Sequence, residues 1–502
     1  MRGWLLLLLL CAVPAMRAAE GDQLDADQRM FTVMTAINVA GYDDGVGARG
    51  DSPLRQAVRK HLESFNGESR QLLVNAYEEL KQDDPDANLS QWVSYALLCE
   101  PPPTFALLAE LPTDLPPEVR RLRQFGRIVE QFYHEADLEG IWQQAQPVFE
   151  QEMLRYQQAL APMLFRTSGY LRLSTQSREF QGFKVWIDLM AAPGAVNTRL
   201  YGGEVQLVVH PNEQVPMEEI QHAFLVHLLD RLSIRYRTEV SRIEVLSRFA
   251  MFAPALPDEY KTDFELLTTQ SLATAVQQRL RRASPEEKAA AIDEALREGY
   301  VLAPYFFEAL QGFEEDSRDI NRYYPDLIGG VDLKKEAARL QAIEFSPAPS
   351  KPVRRAPAQP KLSELDKLLQ RGEFLMNEEL LDEARDTFLE AQEKAGGSDA
   401  QASYGLGRVA ILEADPDLAR EHFTEAARLA EDPHLKAMAF VYLGRIEDIV
   451  GNREEAVKNY QSALAAGDPS ERTRKLAEQG VSAPFARPKS EDEPDEEPDP
   501  NR

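Results

Sequence analysis

The sequence predicts a mainly α-helical chain with a small α/β segment in its middle and a solenoid of helix pairs at its end. Three observations lead there. Long stretches carry apolar residues at i, i+3 and i+4 spacing. Alternation with period two is confined to about residues 184–210. Beyond residue 360 a pattern of small and aromatic residues returns at a nearly fixed interval. The 502 residues are 43% hydrophobic, enough apolar surface for more than one core, and at ~150 residues per domain the length corresponds to two or three domains.

The first element is an address. Arg2 precedes Trp4 and the run Leu5 to Leu10, after which Cys11 to Ala19 supplies a small-residue exit. One positive charge, an apolar stretch of roughly ten residues and such an exit form the layout of a secretory signal peptide, too short for the ~20 residues that span a bilayer. A lipoprotein reading with Cys11 lipidated is the rival, and large Leu10 just before the cysteine fits it poorly. With residues 1–19 removed and no later membrane-spanning stretch, the expected location is periplasmic or extracellular. Cys99 then remains as the only cysteine, so neither an internal disulfide nor a multi-cysteine metal site is expected.

Residues 20–165 read as helices. Ser52 followed by Pro53 is an N-cap with proline at the first helical position, and Ser90 before Gln91 to Leu98 reads as a second cap. Residues 166–345 change character. Lys184–Met190, Val196–Tyr201 and Glu204–His210 are strand candidates, separated by Pro193-Gly194 and Gly202-Gly203. Pro216 then opens a helix with Glu218 and Glu219 in its first turn, where the macrodipole favours acids. Further helices follow to about Leu340. Five prolines among residues 346–361 preclude regular helix and mark a linker. The tail, within residues 481–502, places seven acidic residues between Glu491 and Asp499 and is expected to lack structure.

Between linker and tail, residues 362–480 repeat. Ala384, Phe388 and Ala391 return as Ala419, Phe423 and Ala426, and again as Ala456, Tyr460 and Ala463. A glycine, Gly372, Gly407 or Gly444, stands twelve residues before each first alanine, and the copies are 35 and then 37 residues apart. This resembles the tetratricopeptide repeat family, whose period is about 34 residues. The resemblance implies three antiparallel helix pairs whose concave face binds an extended segment of another protein, with residues 472–479 as a capping helix. In that register Arg408 and Arg445 hold equivalent places on the first helices of copies two and three, the side that lines the groove. They are the candidates for partner contact, against the alternative that each is an ordinary arginine paired within its own chain.

His222 lies on the helix that follows the strands. Strands, a histidine-bearing helix and later helices over about residues 167–345 resemble the gluzincin-type zinc metallopeptidases, in which His-Glu-x-x-His supplies two metal ligands and the general base. The match departs where chemistry would occur. The base position is Ala223, the second-histidine position is Val226 and His227 is displaced by one. Residues four apart on a helix are offset by about 40° and five apart by about 140°, so His222 and His227 point to different sides. Gln270 stands where the third-ligand glutamate is expected. His222, His227 and Gln270 are thus vestigial ligand candidates, with no catalytic residue, metal or cofactor expected. A rearranged site from Glu218, Glu219, His222 and His210 is the remaining metal alternative.

The formal net charge of -27, from 83 acidic and 56 basic residues, argues against a nucleic-acid partner, which would need a basic face. The expectation is an exported, non-catalytic protein-interaction protein, adaptor or scaffold, using its repeats on a protein or peptide ligand. The alternative is an active exported zinc metallopeptidase with a rearranged site whose repeats recruit substrate.

Overall fold

The structure is a computed structural model, and it describes residues 23–108, 117–201, 204–347, 363–377, 380–468 and 471–485. The apolar leader at 1–19, residues 348–361 of the proline-rich stretch and the acidic residues 491–499 lie outside the described residues. The described chain is mostly helical with one small mixed sheet, and none of its helices is long and apolar enough to cross a membrane.

Helices of nine residues or more are numbered in chain order. In the first part these are α1 (Gln28–Ala40), α2 (Pro53–His61), α3 (Glu68–Leu80), α4 (Pro85–Leu98), α5 (Phe125–Glu135) and α6 (Leu138–Leu171). Asp27 caps α1, whose residues Met30 to Ile37 are buried on every face, and Gly41 ends it in the left-handed conformation at φ 119°. Ser52 caps α2 with Pro53 in the first turn, as its sequence predicts. Ser90 does not cap a helix. Asp84 accepts from the Ala87 amide at 2.7 Å and Pro85 takes the first helical position, so α4 begins earlier and Ser90 lies inside it.

Arg55 of α2 is fully buried. Its guanidinium donates to Asn38 Oδ1 at 2.9 Å and to the Asp44 carbonyl at 2.8 Å, and lies 3.5 Å from the Asp51 carboxylate. It thereby ties the loop after α1 to the core.

The strands are β1 (Leu24–Asp25), β2 (Phe183–Ile187), β3 (Val196–Tyr201) and β4 (Glu204–Val209), in the order β1-β2-β4-β3. β2 runs parallel to both β1 and β4, and β3 is antiparallel to β4. The last three strands lie where period-two alternation places them. β1 is two residues long and has no alternation to read. Because β1 joins the sheet and α6 runs across residue 165, residues from Met30 to Leu340 share one hydrophobic core.

After the sheet come α7 (Met217–Arg235), α8 (Phe264–Leu280), α9 (Pro285–Glu298), α10 (Ala303–Glu315), α11 (Ile320–Gly329) and α12 (Leu333–Gln341). α7 packs on α6, β4 and most extensively α8. The C-terminal part forms three successive antiparallel pairs: α13 (Glu364–Asn377) with α14 (Leu381–Lys394), α15 (Ala400–Leu412) with α16 (Pro416–Leu429), and α17 (Pro433–Ile449) with α18 (Arg453–Ala465). A further helix, α19 (Glu471–Ser482), packs against the last pair.

The glycine and aromatic positions of the repeat meet in space. A Cβ on Gly372 would lie 2.5 Å from the Phe388 ring, one on Gly407 2.9 Å from Phe423, and one on Gly444 2.6 Å from Tyr460. A Cβ on Gly405 or Gly480, on the neighbouring helix, would likewise lie 2.5 Å from the Phe388 or Tyr460 ring. In the middle pair Tyr442 instead stacks on Phe423, with centroids 4.8 Å apart and planes 5° from parallel. The first pair meets the body through Lys367 with Asp263 at 3.3 Å, and Arg237 joins Glu265 at 2.8 Å and Glu390 at 3.8 Å.

Candidate functional site

α7 forms because Ile220, Phe224, Leu225, Leu228, Leu229 and Leu232 recur at helical spacing, and all are buried. Proline before the first turn, with Glu218 and Glu219 within it, sets its start. The two histidines diverge as their spacing predicts. His222 Nε2 donates to the Gln270 side-chain oxygen of α8 at 2.7 Å. His227 turns toward the sheet, its ring 6.0 Å from that of Phe183. Burial pushes its pKa down to about 4, so it is neutral at physiological pH.

This geometry joins the first vestigial candidate, His222, to the third, Gln270, and leaves the second, His227, on the other side of the helix. A catalytic zinc does not fit the set. The imidazole nitrogen is engaged by a neutral amide, the second imidazole packs against an aromatic ring, and Ala223 at the base position carries no proton acceptor. Among the described residues no group of three or more His, Cys, Asp or Glu side chains could hold a metal ion.

The rearranged set is not gathered either. Glu218 points outward, 77% exposed and 3.9 Å from Arg281, and Glu219 is exposed. His210, at the end of β4, is buried and faces a different group. Its Nδ1 lies 2.9 Å from an Asp188 oxygen, within ion-pair distance but off hydrogen-bond geometry. On its other side Nε2 meets the Asn197 side chain at 3.2 Å, and Asn197 Oδ1 accepts from Ser90 at 3.1 Å. The order Ser90, Asn197, His210, Asp188 places hydroxyl, imidazole and carboxylate in one line. Asp188 and His210 are each only 1% exposed, so no substrate reaches them and the line serves to join α4 to β2, β3 and β4. Sequence reasoning missed this network, for which His210 closing an alternating strand was the one visible sign.

A second polar cluster lies behind α7. Ser233 Oγ is 2.8 Å from Thr269 Oγ1 and 2.9 Å from the Tyr324 hydroxyl. Asp230 sits beside them, hydrogen-bonded to Thr269, and burial together with the Asp263 and Glu265 carboxylates raises its pKa from 3.8 to about 7. The folded state therefore holds a proton that the unfolded chain releases near pH 4. The stability this contributes is complete below pH 4 and is lost as pH rises through about 7. Asp230→Asn is expected to stabilise the protein relative to wild type by an amount that grows on the order of 2 kcal/mol between pH 5.5 and 8. Urea denaturation at the two pH values checks this.

The two groove candidates sit on the first helices of the second and third pairs. Arg408 grips Glu373 of α13 at 2.6 Å and lies 5.8 Å from the Tyr404 ring centre. Arg445 lies between two rings, 5.6 Å from Tyr442 and 4.8 Å from Phe485, and has no carboxylate partner among the described residues. Phe485 is held there by its amide, which donates to Asp448 at 2.8 Å. No family model, no curated protein and no solved structure matches the chain.

Proposed function

We propose that the protein is an exported, non-catalytic interaction protein of the tetratricopeptide type, whose repeats bind an extended segment of a partner protein beside a peptidase-like domain without peptidase chemistry. The observation that carries this reading is the fit of Gly372, Gly407 and Gly444 against Phe388, Phe423 and Tyr460. Three helix pairs brought together at equivalent small residues are what a stacked repeat needs to present one continuous face. The His222–Gln270 pair supports the other half, because Gln270 offers a neutral amide where an anionic ligand is needed and Ala223 supplies no carboxylate base beside His222.

In this reading Arg445 is a contact residue, with its cation held by aromatic rings and available to a carboxylate. Cross-linking of the full chain in envelope extract, read by mass spectrometry, tests it. A partner peptide should cross-link beside residue 445, and Arg445→Glu should reduce it at least tenfold with unchanged thermal unfolding, whereas His222→Ala should leave it intact. Cross-links distributed away from α15 and α17, unaffected by Arg445→Glu, would contradict the reading.

A further inference from the structure

The end of the described chain folds back on the repeat helices. Glu373, Arg408 and Arg445 each stand one place after a repeat glycine, on α13, α15 and α17. Each of these helices touches the next, and α17 touches α19. Arg408 reaches Glu373 of the helix before it at 2.6 Å, whereas Arg445 meets a residue from beyond the repeats. α19 closes at Ser482, and the Ala483 amide donates to the Gln479 carbonyl at 2.8 Å. Pro484 has no amide to donate and carries the chain away from the helix. Phe485 then lies against α17, its ring centre 4.8 Å from the Arg445 guanidinium.

Phe485 is held as part of a bound segment is held, not as a core side chain. The hydrophobic cluster of the last pair, built on Ala437, Val441, Tyr460 and Ala477, does not include it. Its contacts are a ring face on a cation and a main-chain amide on a carboxylate. The Asp448 side chain is fully buried, and besides the Phe485 amide at 2.8 Å it accepts from the Tyr460 hydroxyl at 3.0 Å and pairs with Arg453 at 2.9 Å. Tyr460 and Arg453 both belong to α18, so this acceptor is fixed without help from Phe485. α19 has attachments of its own, through Gly480 against the Tyr460 ring and the Val481 carbonyl, which accepts from Arg453 at 2.8 Å.

These two contacts define a ligand chemistry. A ring stacked on a guanidinium face is attracted through its quadrupole, and an aliphatic side chain lacks that attraction. A carboxylate that accepts a main-chain N–H makes a charge-assisted bond which any residue except proline can supply. Together they select an aromatic residue in an extended chain. A ring on the face leaves the N–H edges of the guanidinium to a carboxylate of the same segment.

We propose that Arg445 and Asp448 form a seat for an aromatic residue of an extended segment, filled in cis by Phe485, so that a partner binds by displacing the chain's own end. The inference rests on the reading of the repeats as a peptide-binding array, and names the residue class that this face reads and the contact that regulates it. The link from α19 to Phe485 is only Ala483-Pro484, which sets an effective concentration on the order of millimolar at the seat. A partner therefore displaces Phe485 only by adding contacts elsewhere along the face.

The test is fluorescence anisotropy with a labelled peptide of the chain's own residues 481–490, comparing the full chain carrying Phe485→Ala with wild type. The variant should bind the peptide at least tenfold more tightly, because its seat is open. Alanine or leucine in place of the peptide's phenylalanine should cost at least tenfold, and so should Arg445→Ala added to Phe485→Ala. In envelope extract Phe485→Ala should raise the partner cross-link beside residue 445 at least threefold, with limited proteolysis of α17 to α19 unchanged. Equal peptide binding by wild type and Phe485→Ala, equal binding of the alanine peptide, or no binding to either chain would overturn the seat. An unchanged cross-link yield, or early cutting of α19 in Phe485→Ala, would make Phe485 a structural cap and overturn it as well. If the peptide is indifferent to Phe485 while the Arg445-dependent cross-link persists, the seat falls alone and the repeat reading stands. Peptide exchange at Arg445 with no partner cross-link there would keep the seat and remove the repeat reading.

Discussion

Replacing Arg55 with leucine is expected to destabilise the first part of the protein by about 3–5 kcal/mol, the largest effect of any single substitution considered. The side chain is fully buried and its guanidinium serves Asn38, the Asp44 carbonyl and the Tyr42 carbonyl, with the Tyr42 ring centre 5.0 Å away. Leucine fills part of the volume but leaves the Asp51 carboxylate buried without its cation and takes one donor from the Asp44 carbonyl, while the Tyr42 carbonyl and Asn38 Oδ1 keep Arg59. Removing one member of a buried set costs more than the set as a whole contributes, because the remaining charge keeps its desolvation penalty. Urea unfolding followed by near-ultraviolet circular dichroism measures the loss, which Asp51→Asn in the same chain should partly restore. A loss below about 1 kcal/mol would show that the Asp51 charge is solvated.

Gly444→Val should unfold the last helix pair selectively. A Cβ at this position meets two Tyr460 ring atoms at 2.6 and 2.7 Å, and a Cβ on Gly480 would lie as close to the same ring, at 2.5 Å, so α19 also crowds it. Tyr460 cannot swing aside, because its hydroxyl donates to Asp448 at 3.0 Å and Asp448 is itself paired with Arg453 at 2.9 Å. Helices α17 and α18 must therefore separate, at a cost of roughly 3 kcal/mol or more. Gly169→Ala is the control, since no atom outside its own helix lies within 4 Å of the added methyl; there the better helix propensity should add about 0.5–1 kcal/mol. Limited proteolysis with mass analysis distinguishes the two, with early cuts between residues 433 and 482 expected only for the valine variant.

The parts of the fold that sequence reveals are those in which a local pattern repeats. β2 and β3 alternate with period two while β4 is buried at five of its six positions, Pro216 with Glu218 and Glu219 announces α7, and the Gly372 to Phe388 spacing returns twice. Where two local signals compete, the stronger wins: Asp84 followed by Pro85 opens α4 and Ser90 becomes an interior residue bonded to Asn197. β1 escapes because two residues carry no period, and the expected division at residue 165 falls within α6 because that helix packs on both neighbouring regions. Arg55 sits in a helix whose sequence reads as amphipathic and exposed, and only the folded loop from Tyr42 to Asp51 makes it a core residue.

The candidate site divides in the same way. The resemblance to the metallopeptidases pointed to Gln270 as a residue near His222, and the two side chains lie 2.7 Å apart. The divergence of His227 follows from helix geometry alone. The Asp188–His210–Asn197–Ser90 line draws on four elements and so leaves no local pattern to read.

Zinc content tests most directly the proposal that residues around His222 carry no metal chemistry. Elemental analysis of the full chain, purified without chelator and dialysed against equimolar zinc, should give well under one zinc per chain, unchanged in His222→Ala. One zinc per chain, lost in His222→Ala together with hydrolysis of a peptide substrate, would contradict the account.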